Sequence, residues 1–432
     1  MKNGLNQAEE EMKIVFVQPN VGFKGHAWEA IGIGYITAYL RQHHEDDLDI
    51  EFYSGFYDTD EQITKACEDA DVVGFGSTSP QYRHGLRLAR QIKTKENRIV
   101  FGGVHPSALP NLVLKEHCVD AAVVGEGEKA TLQLVEDIDK GADISGRIYR
   151  SEYIENLDDI PFPDRKTIKN ERNIQQAYHD EGKRITSVLS SRGCPFHCSF
   201  CCSHIIWGRK IRFRSPVNML DEVDQLVKHW DIQFLKFADD TFTVNKQRVI
   251  DFCKLKIEKD IKIPYGANAH VNTIDEDLLK HLAESGCQEL WYGVESGSPR
   301  ILKKMHKNTD INRIREVFKL TKEYGIKTRA YFLLGMPSET AEDVEMTEKL
   351  CDELQPDIVG FTLLSPFPIN QYFDHEAMVN WDWSNFDEYG NDWVHTETLT
   401  NKELKDIQKR LAEKYQHVIA FRQRLKEGKS AA

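Results

Sequence analysis

Two consecutive series of short apolar, β-branched runs, each run followed by an amphipathic stretch, restrict what this chain can fold into more than any other feature. In the first series KIVFVQP, DIEFYSG, DVVGFGS, RIVFGG and AAVVG read as strands, and AIGIGYITAYLRQHH and GLRLARQIKTK are among the helical stretches between them. Nearly continuous apolar strands alternating with helices fit a parallel sheet covered on both faces. Residues 1–150 are therefore expected to form a doubly wound α/β domain. Glycines at the strand ends (Gly76, Gly102, Gly103, Gly125, Gly127) either allow close backbone approach at the carboxyl edge, where such sheets bind ligands, or simply make tight turns.

The pattern breaks over 151–184, where IENLDDIPFPDRKTIKN combines turn dipeptides, prolines and charge, as an interdomain linker does. A second series then runs to residue 375. Its strand candidates are ITSVLSS, FLKFAD, YGANAH, LWYGVES, AYFLLG and IVGFTLLS. Six strand–helix units with right-handed crossovers curl into a partial (βα)6 barrel, which works at the carboxyl ends of its strands. Residues 376–432 are expected to be a tail with an aromatic, acidic loop and one long charged helix. The aromatic side chains between 380 and 394 are read as tail-to-barrel packing.

Of the 432 residues, 56 are Lys or Arg and 69 are Asp or Glu, a net charge of −13. That balance argues against a sequence-independent grip on nucleic acid, which depends on releasing counterions to basic residues. There is no apolar run long enough to span a bilayer, and the start MKNGLNQAEEEMK has no apolar signal core, so a cytoplasmic, non-membrane protein is expected.

Nine cysteines in a chain of this length do not suggest a disulfide framework. Cys67, Cys253 and Cys351 fall on amphipathic stretches and Cys287 at a helix end, all read as small apolar side chains. By contrast, Cys194, Cys198, Cys201 and Cys202 crowd onto the loop after the first strand of the second series. The spacing Cys-x-x-x-Cys-x-x-Cys lets one loop offer three thiolates to a soft or iron–sulfur centre. Structural zinc would need a fourth protein ligand, for which His197 and His204 are candidates, yet no second Cys or His pair is present. Cys202 is read as packing.

The spacing of Cys194, Cys198 and Cys201, with Phe200 before the last, resembles the signature of radical S-adenosylmethionine (radical SAM) enzymes. The resemblance extends to FADDTF (237–242), GVESGS (293–298) and GMPSET (335–340) at later strand ends. GGVHP (102–106), VGEGE (124–128) and PFP in the linker are similar to the group whose barrel follows a flavodoxin-like, cobalamin-binding-type domain. The resemblance implies a 4Fe-4S cluster on the three cysteines, reductive cleavage of SAM to a 5′-deoxyadenosyl radical, and a flavodoxin or ferredoxin as electron donor. It also implies cobalamin near Ser77, Thr78, Gly102, Gly103, His105, Gly125 and Glu126. One departure is that the Asp-x-His-x-x-Gly segment carrying the cobalt-ligating histidine is absent from the loop Gln18–His26.

By the same resemblance, Asp239 and Asp240 lie near the methionyl ammonium of SAM, Glu295 and Ser296 near its ribose and methionyl groups, and Gly335 near its adenine. Their alternative roles are helix capping and surface pairing. His270 and Asn268 end the third barrel strand, where they would touch substrate or move a proton. Tyr331 and Arg329 on the fifth strand have similar standing, and the guanidinium fork of Arg329 suits a cofactor or substrate carboxylate. The basic run WGRKIRFR (207–214) is read as neutralising an anionic cluster or cofactor phosphate.

Three functions follow, in this order. The first is cobalamin-dependent methylation of an unactivated carbon or phosphorus in a small metabolite. The second is cobalamin-independent deoxygenation, cyclisation or rearrangement, and the third a zinc-stabilised binding protein.

Overall fold

The computed structural model describes residues 11–21, 29–378, 383, 386 and 388–419. They fall into two compact units. The first holds β1 (Met12–Gln18), β2 (Leu48–Ser54), β3 (Val72–Gly76), β4 (Arg98–Gly102), β5 (Ala121–Val123) and β6 (Arg147–Tyr149). These make one parallel sheet in the order β2-β1-β3-β4-β5-β6. The reversal of direction between β1 and β3 is the switch point of a doubly wound sheet, where the carboxyl ends open toward a ligand. Strand β6 was not expected. It is three residues long, at the sheet edge, and two of its residues are exposed, so it carries no apolar period to detect.

The second unit holds β7 (Ile185–Val188), a short antiparallel ribbon of β8 (Ser191–Arg192) and β9 (Arg212–Phe213), then β10 (Phe234–Phe237), β11 (Tyr265–Ala269), β12 (Cys287–Glu295), β13 (Lys327–Leu334) and β14 (Ile358–Leu363). Strands β7 and β10–β14 pair in sequence order, all parallel, as a curled half-barrel. Residues 151–184 are not one continuous linker. Pro161–Asn170 groups with the first unit, whereas Tyr153–Ile160 and the helix Glu171–Glu181 group with the second. Cys287 opens β12 rather than ending a helix, because Gly286, at φ +89°, turns the chain there.

Alternation along the barrel strands sorts side chains into two environments. Leu235, Phe237, Ala267, Ala269, Leu290, Tyr292, Val294, Ala330 and Phe332 join the core beneath the helices, with Leu226, Phe252, Leu282, Phe318 and Leu350. The alternate positions, Lys236, Asp240, Asn268, His270, Glu289, Glu295, Arg329 and Tyr331, line the concave inner face and are predominantly polar. Each outer helix begins at a side-chain cap. Asn245, Asp275 and Asp310 accept a backbone N–H three residues on, and Thr340 forms a capping box with Asp343. The tail helix Asn401–Lys414 covers β14, with Gln408 Nε2 donating to the Phe361 carbonyl at 2.8 Å.

The turn after β12 meets the helix Ala341–Leu354 at its backbone. A Cβ at Gly297 would lie 2.2 Å from the Met346 carbonyl oxygen and 2.6 Å from the Thr347 Cα. Backbone on both sides cannot step aside, so Gly297→Ala is expected to destabilise the protein by about 1–3 kcal/mol in urea unfolding. An unchanged unfolding midpoint would contradict this packing.

Candidate active site

The cysteine loop leaves the barrel just beyond β7 and is closed at its base by the β8–β9 ribbon. Gly193, at φ +98°, begins it. A Cβ there would sit 2.6 Å from the Lys210 carbonyl oxygen, so only glycine lets the two limbs of the loop approach. Neighbouring segments brace the middle. Ser199 N–H donates to the Met305 carbonyl (3.0 Å), the Ser199 hydroxyl pairs with the Tyr372 hydroxyl (2.7 Å), and Asn370 Nδ2 donates to the Phe200 carbonyl (3.2 Å). Arg209 donates to the Phe196 carbonyl at 3.0 Å.

Cys194, Cys198 and Cys201 are half-buried and close enough to influence one another electrostatically. Cys194 Sγ lies 3.9 Å from the Thr241 hydroxyl, and Cys201 Sγ accepts the Ser203 N–H at 3.5 Å. Burial pushes the Cys198 thiol up to about 11, opposed by the Lys307 ammonium. A metal centre binds thiolates and displaces their protons, so its binding would reverse that shift. The donor set fits an iron–sulfur centre, because one loop offers three soft sulfurs. Among the described residues no three His, Cys, Asp or Glu side chains gather about one point as ligands of a single ion do. Cys202 is also half-buried, and burial drives its thiol up to about 12.

The two adjacent aspartates do different work. Asp239 is fully buried, and its carboxylate accepts Ser190 N–H (2.6 Å), Ser190 Oγ (2.5 Å) and Ser191 Oγ (2.6 Å). It anchors the root of the cysteine loop, and its carboxylate is not presented to a ligand as expected. Its backbone carbonyl accepts Asn268 Nδ2 at 2.9 Å. Asp240 faces the concave side, reachable by water yet walled by protein. Desolvation, and then Asp239, push its carboxyl up to about 6 against an opposing hydrogen bond from Ser203.

His270 stacks on Phe196 of the cysteine loop, with ring centroids 3.9 Å apart and planes 12° from parallel. Its Nδ1 accepts Asn272 N–H at 3.2 Å, which assigns the proton to Nε2, an atom without a hydrogen-bond partner. Burial, and then the Lys307 charge, lower its pKa to about 3, so the ring is neutral at physiological pH.

Glu295 ends β12 at φ +67°, with Oε1 3.0 Å from Lys307 Nζ. A Cβ on Gly293 would fall 2.2 Å from that oxygen, so Gly293 makes room for the pair. Burial lowers the Lys307 pKa, but Glu295 and then Cys198 outweigh it and hold the ammonium charged. Lys307 was not singled out from the sequence, because KKMHKNTD reads as a solvated charged turn.

Several expectations give way to internal structure. Ser296 is fully buried on the helix side, with its hydroxyl 3.2 Å from Thr347 Oγ1. Gly335 donates to Glu339 Oε2 at 2.5 Å, and a Cβ there would meet Val394 of the tail at 2.5 Å, so the tail covers that side. Glu339, also missed, is buried, and desolvation raises its carboxyl to about 7. Arg329 donates to Glu289 at 3.3 Å and to the Tyr331 hydroxyl at 3.4 Å. In register, Tyr331 lies opposite Gly293 and Arg329 opposite Trp291. The register shifts at the top of the pair, where Glu295 faces Phe332, so Tyr331 and Arg329 lie one and three residues below that level on their strand, roughly 3 and 10 Å at strand rise. Two arginines of the basic run serve the fold: Arg212 donates to the Ile154 carbonyl and Arg214 pairs with buried Glu222.

In the first unit the named residues converge at the carboxyl ends of β3, β4 and β5. Ser77 N–H donates to the Gly102 carbonyl at 2.9 Å, and its hydroxyl is buried without a partner. Gly103, at φ +98°, approaches so closely that a Cβ would lie 2.9 Å from the Ser77 carbonyl oxygen. Thr78 caps the following helix through Gln81. Gly125 N–H donates to Ser107 Oγ at 2.9 Å, and Glu126 begins the helix Gly127–Asp139. An orphaned hydroxyl beside a glycine-lined edge suits a large polar cofactor. His105 does not share that edge. Its ring is wholly enclosed, stacked on Tyr82 and bonded to Ser79, so it presents no surface to a ligand. Gly22–Trp28 of the loop after β1 lie outside the described residues.

Because Asp240 titrates above the ordinary carboxylate value of 3.8, the folded chain holds an extra proton between about pH 4 and 6 and is penalised for losing it above that window. Asp240→Asn is expected to raise the urea midpoint of the metal-free protein at pH 8 and leave it nearly unchanged near pH 4. An equal gain at both would contradict the raised pKa.

Residues 188–351 match the family model of the radical SAM superfamily, and residues 21–135 match that of the B12 binding domain. The chain is 30% identical over 394 residues to an uncharacterized methyltransferase of Pyrococcus horikoshii, covering 85% of this chain and 84% of the relative. It is also 30% identical over 393 residues to the anaerobic magnesium-protoporphyrin IX monomethyl ester cyclase of Rubrivivax gelatinosus, covering 84% and 69%. The radical SAM methyltransferase TsrM of Kitasatospora setae, solved with cobalamin and a [4Fe-4S] cluster, shares the fold at TM-score 0.69 and 17% identity, over 84% of this chain and 74% of that one. This chain belongs to the radical SAM superfamily of enzymes, in the group that combines the barrel with a B12 binding domain.

Proposed function

We propose that the protein is a cobalamin-dependent radical SAM methyltransferase acting on an unactivated carbon or phosphorus of a small molecule. The observation that carries this reading is the braced loop offering Cys194, Cys198 and Cys201 on a chain that also has a B12 binding domain. When bound, the iron–sulfur centre supplies the electron that cleaves SAM, and the corrin carries the methyl group.

The chain's own residues bind, orient and exclude water. Lys307 is a buried ammonium within electrostatic reach of Cys198 and Cys201, and is our candidate for the SAM carboxylate. Asp240 suits the SAM ammonium, since an arriving cation favours its ionised form. Glu295 remains a candidate for the ribose hydroxyls, and Asn268 is oriented for polar contact by the Asp239 carbonyl. His270 keeps its proton on Nε2 as a neutral donor, while Phe196 stacked over it shields that side from water. Arg329 and Tyr331, deeper on the concave face, suit an anionic end of the substrate. Ser77, Thr78, Gly102, Gly103, Gly125 and Glu126 would line the corrin edge. No helix among the described residues is long and apolar enough to cross a membrane, and we assign the enzyme to the cytoplasm, where such thiols stay reduced.

A second reading, corrin-independent rearrangement or cyclisation, is favoured by the equal identity to the cyclase of Rubrivivax gelatinosus. SAM labelled in its methyl group separates the two. With a substrate in hand, the first reading predicts label in the product together with retained corrin, and the second predicts 5′-deoxyadenosine with an unlabelled product.

The ligand assignment has its own test in anaerobically reconstituted protein. Cys198→Ala is expected to lose iron and SAM cleavage, while Cys202→Ala keeps both; equal loss in the two variants would overturn the assignment. Lys307→Met should keep its iron but bind SAM about 10–100-fold more weakly, the size of one charge-assisted hydrogen bond. Unchanged SAM affinity would remove Lys307 from the site.

A further inference from the structure

The loop after β1 lacks the segment that carries a cobalt-ligating histidine, so a corrin has to find its contacts at this end of the sheet in other residues. Pro19 and Asn20, the first residues beyond β1, are held by one face of the helix Ser79–Ile92. Gln81 Nε2 donates to the Pro19 carbonyl at 2.7 Å, and one turn further on His84 Nδ1 accepts the Asn20 N–H at 2.7 Å. The accepting role of Nδ1 assigns the ring proton to Nε2, which donates to Asp60 Oδ1 at 2.9 Å. Arg87 pairs with the other oxygen of that carboxylate at 2.7 Å. Two glycines let these parts close on one another. A Cβ at Gly85 would lie 3.0 Å from the Pro19 ring, and one at Gly55 would lie 2.8 Å from His84 Cε1 and 3.1 Å from the Asn20 Cβ.

The fastening sets Asn20 at the ligand edge. Strand β1 pairs with β3 with Val17 opposite Phe75, and that register continued past the strand ends sets Pro19 level with Ser77 and Asn20 level with Thr78. Gln81 joins the two strand ends, because its Oε1 accepts both the Thr78 N–H and the Thr78 hydroxyl at 2.9 Å while its Nε2 serves Pro19. The sheet reverses direction between these two strands, and ligands of such sheets bind in the crevice outside that point. Two buried atoms at the junction, Asn20 Oδ1 and Ser77 Oγ, have no hydrogen-bond partner among the described residues. A buried amide oxygen without a donor is destabilising, and the cost is recovered when a ligand brings the donor. The Asn20 side chain is poorly placed to turn elsewhere for one, since His84 holds its backbone and Gly55 lies against its Cβ. An amide oxygen takes only donors, and the rim of a corrin carries carboxamide side chains whose N–H groups are donors of that kind.

We propose that Asn20 is a corrin-binding residue, its Oδ1 accepting an N–H from a carboxamide side chain on the corrin rim, with His84 as the residue that positions it. Ser77 and Thr78 reach the same edge from the neighbouring strand. The inference rests on the chain binding cobalamin through its B12 binding domain.

The experiment titrates two corrins into full-length protein and follows their absorbance. One is hydroxocobalamin, and the other is dicyanocobinamide, which keeps the ring carboxamides but lacks the nucleotide. Asn20→Ala is expected to weaken both about 3–10-fold, the size of one neutral hydrogen bond. In corrin-free protein the same variant is expected to keep or raise the urea midpoint, because it removes a buried acceptor that has no donor; a residue serving only the fold would lower it. His84→Leu should weaken both corrins at least as much. His84→Asn, whose Oδ1 replaces Nδ1 as acceptor for the Asn20 N–H, should restore the parent affinity. Parent affinity in Asn20→Ala would overturn the proposal, as would a lowered urea midpoint in that variant. A loss confined to hydroxocobalamin would also overturn it, by placing the contact on the nucleotide. His84→Asn binding no better than His84→Leu would remove His84 from its positioning role. A parent that binds neither corrin would instead defeat the cobalamin reading itself.

Discussion

The carboxylate of Asp239 ties the end of one barrel strand to the end of the next, and the geometry of the cysteine loop depends on it. It is removed from water and accepts three hydrogen bonds from Ser190 and Ser191 at 2.5–2.6 Å. A buried carboxylate is tolerated only when its oxygens are satisfied and its charge is balanced. Arg248 supplies the balance from behind, 3.9 Å from Asp239 and donating to the Ser190 carbonyl at 3.0 Å. Below it, Arg214 donates to the Leu189 carbonyl and pairs with Glu222. The root of the loop is therefore a closed network of charges in which removing one member strands another. Such a network fixes direction as well as position. The chain must leave β7 along the path these hydrogen bonds allow, and Gly193 then folds it back within reach of Lys210.

Above that root, the concave face of the half-barrel is chemically unlike its helix-covered face. Filled barrels close their interior with layers of branched apolar side chains. Here the inner positions carry ion pairs instead, Glu295 with Lys307 near the top and Glu289 with Arg329 below. Lys236 with Glu181 adds a third pair. An interior of this kind holds polar ligands by oriented charge, while the stacked pair Phe196 and His270 provides an apolar wall beside the cysteines. The buried ammonium of Lys307 is the one cation of this set that also acts on Cys198 and Cys201. It links the pocket to the metal ligands.

Much of this architecture was legible in the sequence because the physics that builds it is periodic. The five strands named for the first sheet and the six for the barrel are all present, since each is a near-continuous apolar run bounded by turn residues. Strand β6 and the β8–β9 ribbon escaped because two or three residues carry no period. Asp239 shares its parity with Leu235 and Phe237, and Ser296 with Tyr292 and Val294, so both belong to the helix-covered side. Asp240, His270 and Arg329 fall on the opposite parity, on the concave face. Lys307 and Glu339 were hidden for a different reason: each lies in an irregular turn, where burial is decided by distant segments and leaves no local pattern. His105 was expected near a cofactor through the resemblance carried by GGVHP, whereas it lies in the helix Val104–Ala108, wholly buried and stacked on the Tyr82 ring.

The thiolates of Cys194, Cys198 and Cys201 would hold a four-iron centre that SAM meets directly, and everything else in the site follows from it. Mössbauer spectroscopy of protein reconstituted with 57Fe, recorded before and after adding SAM, tests it most directly. A four-iron spectrum is expected in which one site alone changes its isomer shift when SAM is added. A spectrum without protein-bound iron, or one whose four sites are indifferent to SAM, would contradict it.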